Sequence, residues 1–253
     1  MGTLEWRHHE RIGWTDVDQD GQLKFSSIFR FVAAGYAGMF PLLTEDSRAE
    51  YFATHELQPI ARHMEMARGP DGGKLDAGLS VHFTVRLGFT VDKRSGSRRY
   101  GGRDAIQLVA EHGETLGGWT QDWLWFVPKE GTLLHVPAPG LRVDQSEELP
   151  SVEAPPRLST KVQGGRFRWT TRETDVNHHV TASAYLERAE NTLADAKLAA
   201  RGLHRAGMWF RRPSLLGDLM TSSYEELAED TFLVALTREE SDELCVTVRF
   251  RGS

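Results

Sequence analysis

Cysteine is almost missing from this chain: Cys245 is the only one in 253 residues. A lone thiol excludes an internal disulfide and any metal cage built from cysteine, and its ordinary reading is a small buried strand residue. Long apolar runs are missing too, since none approaches the roughly 20 residues of a membrane-spanning helix. Met1 to Arg11 is charged and lacks the apolar core of a secretory signal, so a cytoplasmic location is expected. Lys and Arg form no block, and the formal net charge is −6, which excludes the concentrated basic footprint of a general nucleic-acid binder. Small molecules and other proteins remain as partners. With 40% hydrophobic and 26% charged residues and no low-complexity tract, the composition is that of a globular protein, long enough for one large core or two modules.

The organisation along the chain favours two modules. Pro137, Pro139, Pro150, Pro155 and Pro156, interleaved with acids, mark an extended connector near the middle. The expected division is 1–136, a connector over 137–161, and 162–253. The two parts open alike, with Arg11-Ile12-Gly13-Trp14-Thr15-Asp16-Val17-Asp18 before one helix and Phe167-Arg168-Trp169-Thr170-Thr171-Arg172-Glu173-Thr174-Asp175 before the other, which suggests an internal duplication. Ile28, Phe29, Phe31, Val32, Tyr36 and Phe40 form a helical stripe over Ser26 to Leu43, continued in pieces from Arg48 to Leu57. Tyr185, Leu186, Ala189, Leu193, Ala196 and Leu198 predict a second helix over Ser183 to about Arg201, stopped at Gly202. Alternating or apolar runs predict strands over 79–87, 105–109, 119–127, 208–212, 219–225, 232–238 and 244–250. Each part is then a short strand, a long helix and several antiparallel strands, a sheet of about five strands wrapped round one helix in an α+β arrangement.

The densest chemistry lies just before the second helix, in Thr174-Asp175-Val176-Asn177-His178-His179-Val180. An acid, an amide and an imidazole arrive within five residues, beside the unpaired N–H groups of a helix start, and hydrolysis of a carbonyl compound needs these functions in one place. Asp175 alone also reads as a helix N-cap, and Asn177 alone as a turn residue. His178 is expected to face solvent. It builds no metal site with His179, because adjacent residues point apart and no third ligand is evident nearby. No cofactor is expected.

The pattern Asp175-x-Asn177-x-His179-Val180, with Tyr185-Leu186-Glu187 inside the following helix, resembles the hotdog fold of thioesterases, and the tandem form resembles the acyl-ACP thioesterases. The resemblance covers most of the chain and is strong only around the second helix. It implies two tandem hotdog modules packed as an intramolecular pseudo-dimer, with the chemistry in the C-terminal module and a degenerate N-terminal one. Aligning the halves sets Asp18, Asp20 and Gln22 opposite Asp175, Asn177 and His179, so the first module lacks the imidazole. Plant-type members carry a Glu and a Cys after a Tyr-Arg-Arg segment; here Pro213-Ser214 follows Phe210-Arg211-Arg212, and Pro213-Ser214-Leu215-Leu216-Gly217-Asp218 is similar to a turn of simpler acyl-CoA hotdog enzymes. The resemblance implies hydrolysis of an acyl thioester on acyl carrier protein or CoA.

In that reading Asp175, Asn177 and His179 are catalytic and converge on one cavity between the halves. Arg211 and Arg212, with Arg166 and Arg168, meet pantetheine phosphates or an acidic carrier, or are simply solvated strand charge. Trp123 and Trp125, on one strand face, are core first and pocket lining second; Tyr185 is a further substrate-side candidate. Glu187 and Glu190 divide between exposed charge and a supporting role. Two other functions compete. A hotdog hydratase or dehydratase usually has its His five residues after the Asp with a proline between, unlike the interval of four here. A silent acyl-binding protein is suggested by the missing Glu. Self-association beyond the pseudo-dimer is not legible.

Overall fold

Strand residues that alternate between two faces, and helices with one apolar stripe, must pair their apolar sides to be stable in water. The computed structural model describes residues 3–18, 21–69, 78–175, 178–198 and 202–252. The first half contains β1 (Thr3–Arg11), α1 (Phe25–Gly35), α2 (Phe40–Leu43), α3 (Arg48–His55), β2 (Gln58–Arg68), β3 (Gly78–Val91), β4 (Arg98–Ala110), β5 (Thr115–Val127) and the short β6 (Thr132–Leu133). The second contains β7 (Val162–Arg168), α4 (Ala182–Asp195), β8 (Arg205–Phe210), β9 (Leu219–Ala228), β10 (Thr231–Arg238) and β11 (Glu243–Arg251).

All these strands join one sheet, ordered β1-β3-β4-β5-β2-β8-β11-β10-β9-β7, with β6 beside β5. The halves meet at β2 and β8, an antiparallel pair in which Met64 faces Met208 and Met66 faces Ala206. Outward from this seam the order is the same on both sides. Each half also carries a register shift at a matching place, between Leu108 and Val109 on one side and between Leu236 and Thr237 on the other.

The two long helices lie side by side on one face of the sheet. α1 contributes Phe25, Ile28, Phe31 and Val32 to a core that α4 completes with Tyr185, Leu186, Ala189 and Leu193, over Met66, Phe83, Trp119, Met208, Phe232 and Val248. Burying each large apolar side chain contributes about 1.5–3 kcal/mol, so this shared core is what holds α1 and α4 against the sheet. A second core has no counterpart in the other half: α2 and α3 close over the far end of the first half, where Phe40, Leu43 and Tyr51 pack with Val85, Leu87, Trp123 and Trp125.

The single helix expected over Ser26 to Leu43 is broken. α1 stops at Gly35, a 3-10 turn covers Tyr36–Gly38, and α2 restarts with Pro41 in its first turn. Proline has no N–H to continue the ladder and is tolerated only at a helix start. Gly35 is where α1 comes closest to the sheet, since a Cβ there would lie 2.2 Å from the Phe83 ring. The second helix also ends earlier than its periodicity suggests. Lys197 takes a left-handed φ of 59°, its N–H reaches the Ala194 carbonyl at 2.9 Å and the Leu198 N–H reaches Leu193 at 2.8 Å, a Schellman ending that satisfies the last carbonyls. Four strands, β1, β2, β6 and β7, lie outside the runs predicted as strands, although a short strand was expected before each long helix.

Candidate active site

Ahead of α4, Asp175, His178 and His179 are tied together by hydrogen bonds as a turn. The Asp175 N–H donates to the His179 carbonyl (2.8 Å), the His178 N–H donates to Asp175 O (3.0 Å), and the Asp175 carboxylate accepts the His179 N–H (3.0 Å). His178 takes a left-handed φ of 61° to close it. Two more bonds brace the approach: Thr170 N–H to the Glu173 carboxylate at 2.9 Å and Thr181 N–H to the Glu173 carbonyl at 2.9 Å. Thr181, not Asp175, is the helix N-cap, with Oγ1 accepting from the Ala184 N–H at 3.4 Å. The carboxylate at 175 instead caps the turn.

The same turn stands before α1. Asp18 N–H donates to Gln22 O (2.8 Å), Gly21 N–H to Asp18 O (3.0 Å), and the Asp18 carboxylate accepts the Gln22 N–H (3.0 Å). Gly13 N–H meets the Asp16 carboxylate at 2.8 Å and Lys24 N–H meets Asp16 O at 2.9 Å. Gly21 supplies the left-handed φ of 76°. The bridges Val17↔Leu23 and Thr174↔Val180 also correspond. The duplication read from sequence is therefore a duplication of backbone geometry. The turn demands the acid in both halves and leaves the side chain four residues later free to differ: Gln22 in one, His179 in the other.

Asp175, His178 and His179 are solvent-exposed, and Asn177 and Asp20 lie outside the described residues. The side chains of Asp175 and His179, expected to line a roofed cavity between the halves, are exposed. The turn is zipped to the segment after β8. Val180 N–H donates to Ser214 O (3.0 Å), Leu216 N–H to His178 O (3.0 Å), and His179 bridges Leu215. Ser214, fully buried, donates its N–H to the Tyr185 hydroxyl at 2.8 Å, so Tyr185 links α4 to this segment from within the core. Burial pushes the Tyr185 phenol up to about 12 and the nearby Cys245 thiol above its ordinary value. Asp218 and Arg238 fix the rest of the segment: the Asp218 carboxylate accepts from Leu215 N–H (2.9 Å) and from Arg238 Nε (3.0 Å).

The other expected site residues are dispersed. Arg211 and Arg212 have exposed side chains, with Arg212 3.1 Å from Glu243, and Arg166 is paired to Glu239. Trp123 and Trp125 are buried in the second core, where the Trp123 indole donates to Asp104 at 2.9 Å. Glu187 is exposed. Among the described residues no group of three or more His, Cys, Asp or Glu is arranged to hold a metal ion, and no helix is long and apolar enough to cross a membrane.

An acyl-ACP thioesterase from Bacteroides thetaiotaomicron superposes with a TM-score of 0.73 at 14% identity, covering 98% of this chain and 97% of that one. The 12:0-ACP thioesterase of Umbellularia californica gives 0.71 at 14% identity, covering 98% and 93%. A Mycobacterium tuberculosis protein essential for bacterial survival during infection, with a double hotdog fold, gives 0.59 at 11% identity, covering 98% and 94%. The chain has a double hotdog fold. No protein-family model matches it, and no curated protein matches it in sequence.

The two hotdog halves differ in what stands at each helix start, and sequence reasoning missed this. At the start of α1, Glu190 reaches over from α4 and accepts the Phe25 N–H at 3.2 Å, while Arg68 lies 3.3 Å from Glu190, 3.4 Å from Asp18 and above the Phe25 ring. Burial raises the Glu190 carboxyl and lowers the Arg68 guanidinium from their ordinary values. Carrying the repeat across, Ala33 takes the place of Glu190. The reciprocal seam pairs Met64↔Met208 and Met66↔Ala206 make Phe210 the counterpart of Arg68. Neither of those two places holds an arginine or an acid, and Phe210 packs 6.2 Å from Tyr185. The first turn is closed by an ion cluster whose arginine and glutamate are replaced by Phe210 and Ala33 in the repeat.

Proposed function

We propose that the protein is a thioester hydrolase acting on an acyl group carried by acyl carrier protein or CoA, that its two modules work as a pseudo-dimer, and that the turn before α4 carries the chemistry. The observation that supports this most directly is the asymmetry of the duplicated turns on a double hotdog scaffold. Both keep the turn-closing aspartate; the second alone adds His179 and Asn177 and lacks the Arg68–Glu190 closure. The thioesterase names of the two superposed enzymes point the same way.

In this mechanism water attacks the thioester carbonyl, the tetrahedral oxyanion is stabilised by N–H groups at the start of α4, and the C–S bond breaks to release acid and thiol. Asp175, whose carboxylate accepts the His179 N–H, orients the water. His179 takes the water proton and returns it to the leaving thiolate, whose low basicity makes that demand mild. Asn177 holds the carbonyl or the pantetheine arm. Asp175→Asn, Asn177→Ala and His179→Ala should each lower thiol release from acyl-CoA and acyl-ACP by ~10²–10³. Unchanged rates in all three would remove the assignment. Water addition to an enoyl thioester without thiol release would select the lyase, and binding without turnover the silent acyl-binding protein.

A further inference from the structure

The face of the sheet turned away from α1 and α4 carries a groove of about 450 Å³ across the seam of the two halves. Its floor is built from small residues, Ala67, Ala105, Gly118 and Gly207, on strands whose alternate residues Met66, Ile106, Trp119 and Met208 face the core. Small side chains on four adjoining strands leave a trough between them. Gly207 cannot be enlarged without cost, because a Cβ there would come within 3.0 Å of the Trp209 indole.

One wall is strongly basic. Arg205 and Arg251 are direct cross-strand partners and Arg249 pairs with Gly207, so three guanidinium groups share one face. Arg249 is already neutralised: Glu153 from the connector grips it through two contacts of 3.3 and 3.2 Å, and Glu65 lies 3.9 Å away. Among the described residues Arg205 and Arg251 form no ion pair within 4 Å, although Arg251 is near enough to help Arg249 hold the Glu153 carboxyl below its ordinary value. Like charges directly opposite on a sheet repel, and here they stand on a chain whose net charge is −6. A two-fold pairing of this face with a second copy would bring the same arginines together, so a small anion is the better occupant.

We infer that this groove is a binding site for a phosphorylated small molecule, its phosphate or pyrophosphate held by Arg205 and Arg251 through charge-assisted hydrogen bonds and its body lying along the alanine and glycine floor. The site is independent of the turn before α4, which belongs to the helix side.

Titration of the full chain with sodium pyrophosphate at constant ionic strength, followed by calorimetry, should give saturable one-to-one binding. Arg205→Gln and Arg251→Gln should each weaken it about tenfold, Arg251→Lys less, and the exposed Arg157→Gln not at all. Thermal melts without ligand establish that each variant is folded. Absence of saturable binding in the folded wild type, wild-type affinity in both glutamine variants, or a dependence on ionic strength alone would overturn the proposal. So would a dimer in sedimentation that Arg205→Glu dissociates.

Discussion

Replacing Asp104 by Asn should stabilise this protein at neutral pH. Asp104 is 1% exposed. Its carboxylate accepts from the Tyr36 hydroxyl at 2.5 Å and from the Trp123 indole at 2.9 Å. Burial is the largest influence and raises its pKa from 3.8 to about 6, against the two hydrogen bonds, which favour the charged form; the Asp122 charge adds to the rise. The folded state therefore holds a proton that the unfolded chain has released between about pH 4 and 6. Stability conferred by this group is fully present below that window and is lost as pH rises through it, at a cost of about 3 kcal/mol by pH 7. Protonated Asp104 can donate to the Tyr36 oxygen while still accepting from Trp123, and an asparagine amide reproduces that pattern. Asp104→Asn should then gain about 3 kcal/mol at pH 7.5, or about 6–12 °C in Tm for a chain of this size, and nothing near pH 4. Urea denaturation of both proteins at the two pH values measures the difference, in which the other carboxylates cancel. A variant no more stable than wild type at pH 7.5, or a difference that does not change with pH, would refute the reasoning.

Two further tests address packing between and within the halves. Arg68→Ala strands the Glu190 carboxylate against the start of α1 and should cost about 3 kcal/mol in chemical denaturation, whereas Arg68→Met combined with Glu190→Leu should restore most of it; an Arg68→Ala cost below about 1 kcal/mol would mean the pair is too well solvated to matter. Gly35→Ala places a Cβ against the Phe83 ring, which stacks on Trp6 at 4.6 Å, so it should lose about 1–3 kcal/mol and change the tryptophan fluorescence; an unchanged melt would show that α1 can withdraw from β3 at no cost.

The elements legible in the sequence were those whose signal is local. The helical stripe of Leu186, Ala189 and Leu193 and the apolar runs of β3, β10 and β11 depend only on burial of one face or both, which residue type records directly. β1 and β2 escaped because their local signals conflict with their place. β1, at the sheet edge, shows a half-buried face that includes His8 and Glu10. β2 has Pro59 as its second residue and carries Arg62, His63 and Glu65, yet it is the strand on which the two halves join. Only pairing with β8, far along the chain, makes that polar segment a central strand.

At the candidate site the division is similar. The residues themselves decided that two matching turns precede two helices, because an aspartate three residues before a left-handed turn position and four before its last N–H closes such a turn wherever it occurs. Tertiary structure decided everything that distinguishes the turns. Glu190 and Arg68 are far apart in sequence and meet only because α4 crosses beside α1, and the arginines of the outer groove face one another only through the register of β8 with β11. Short-range hydrogen bonding is written in local spacing, whereas the charge and space around a site are set by which distant surfaces the core forces together.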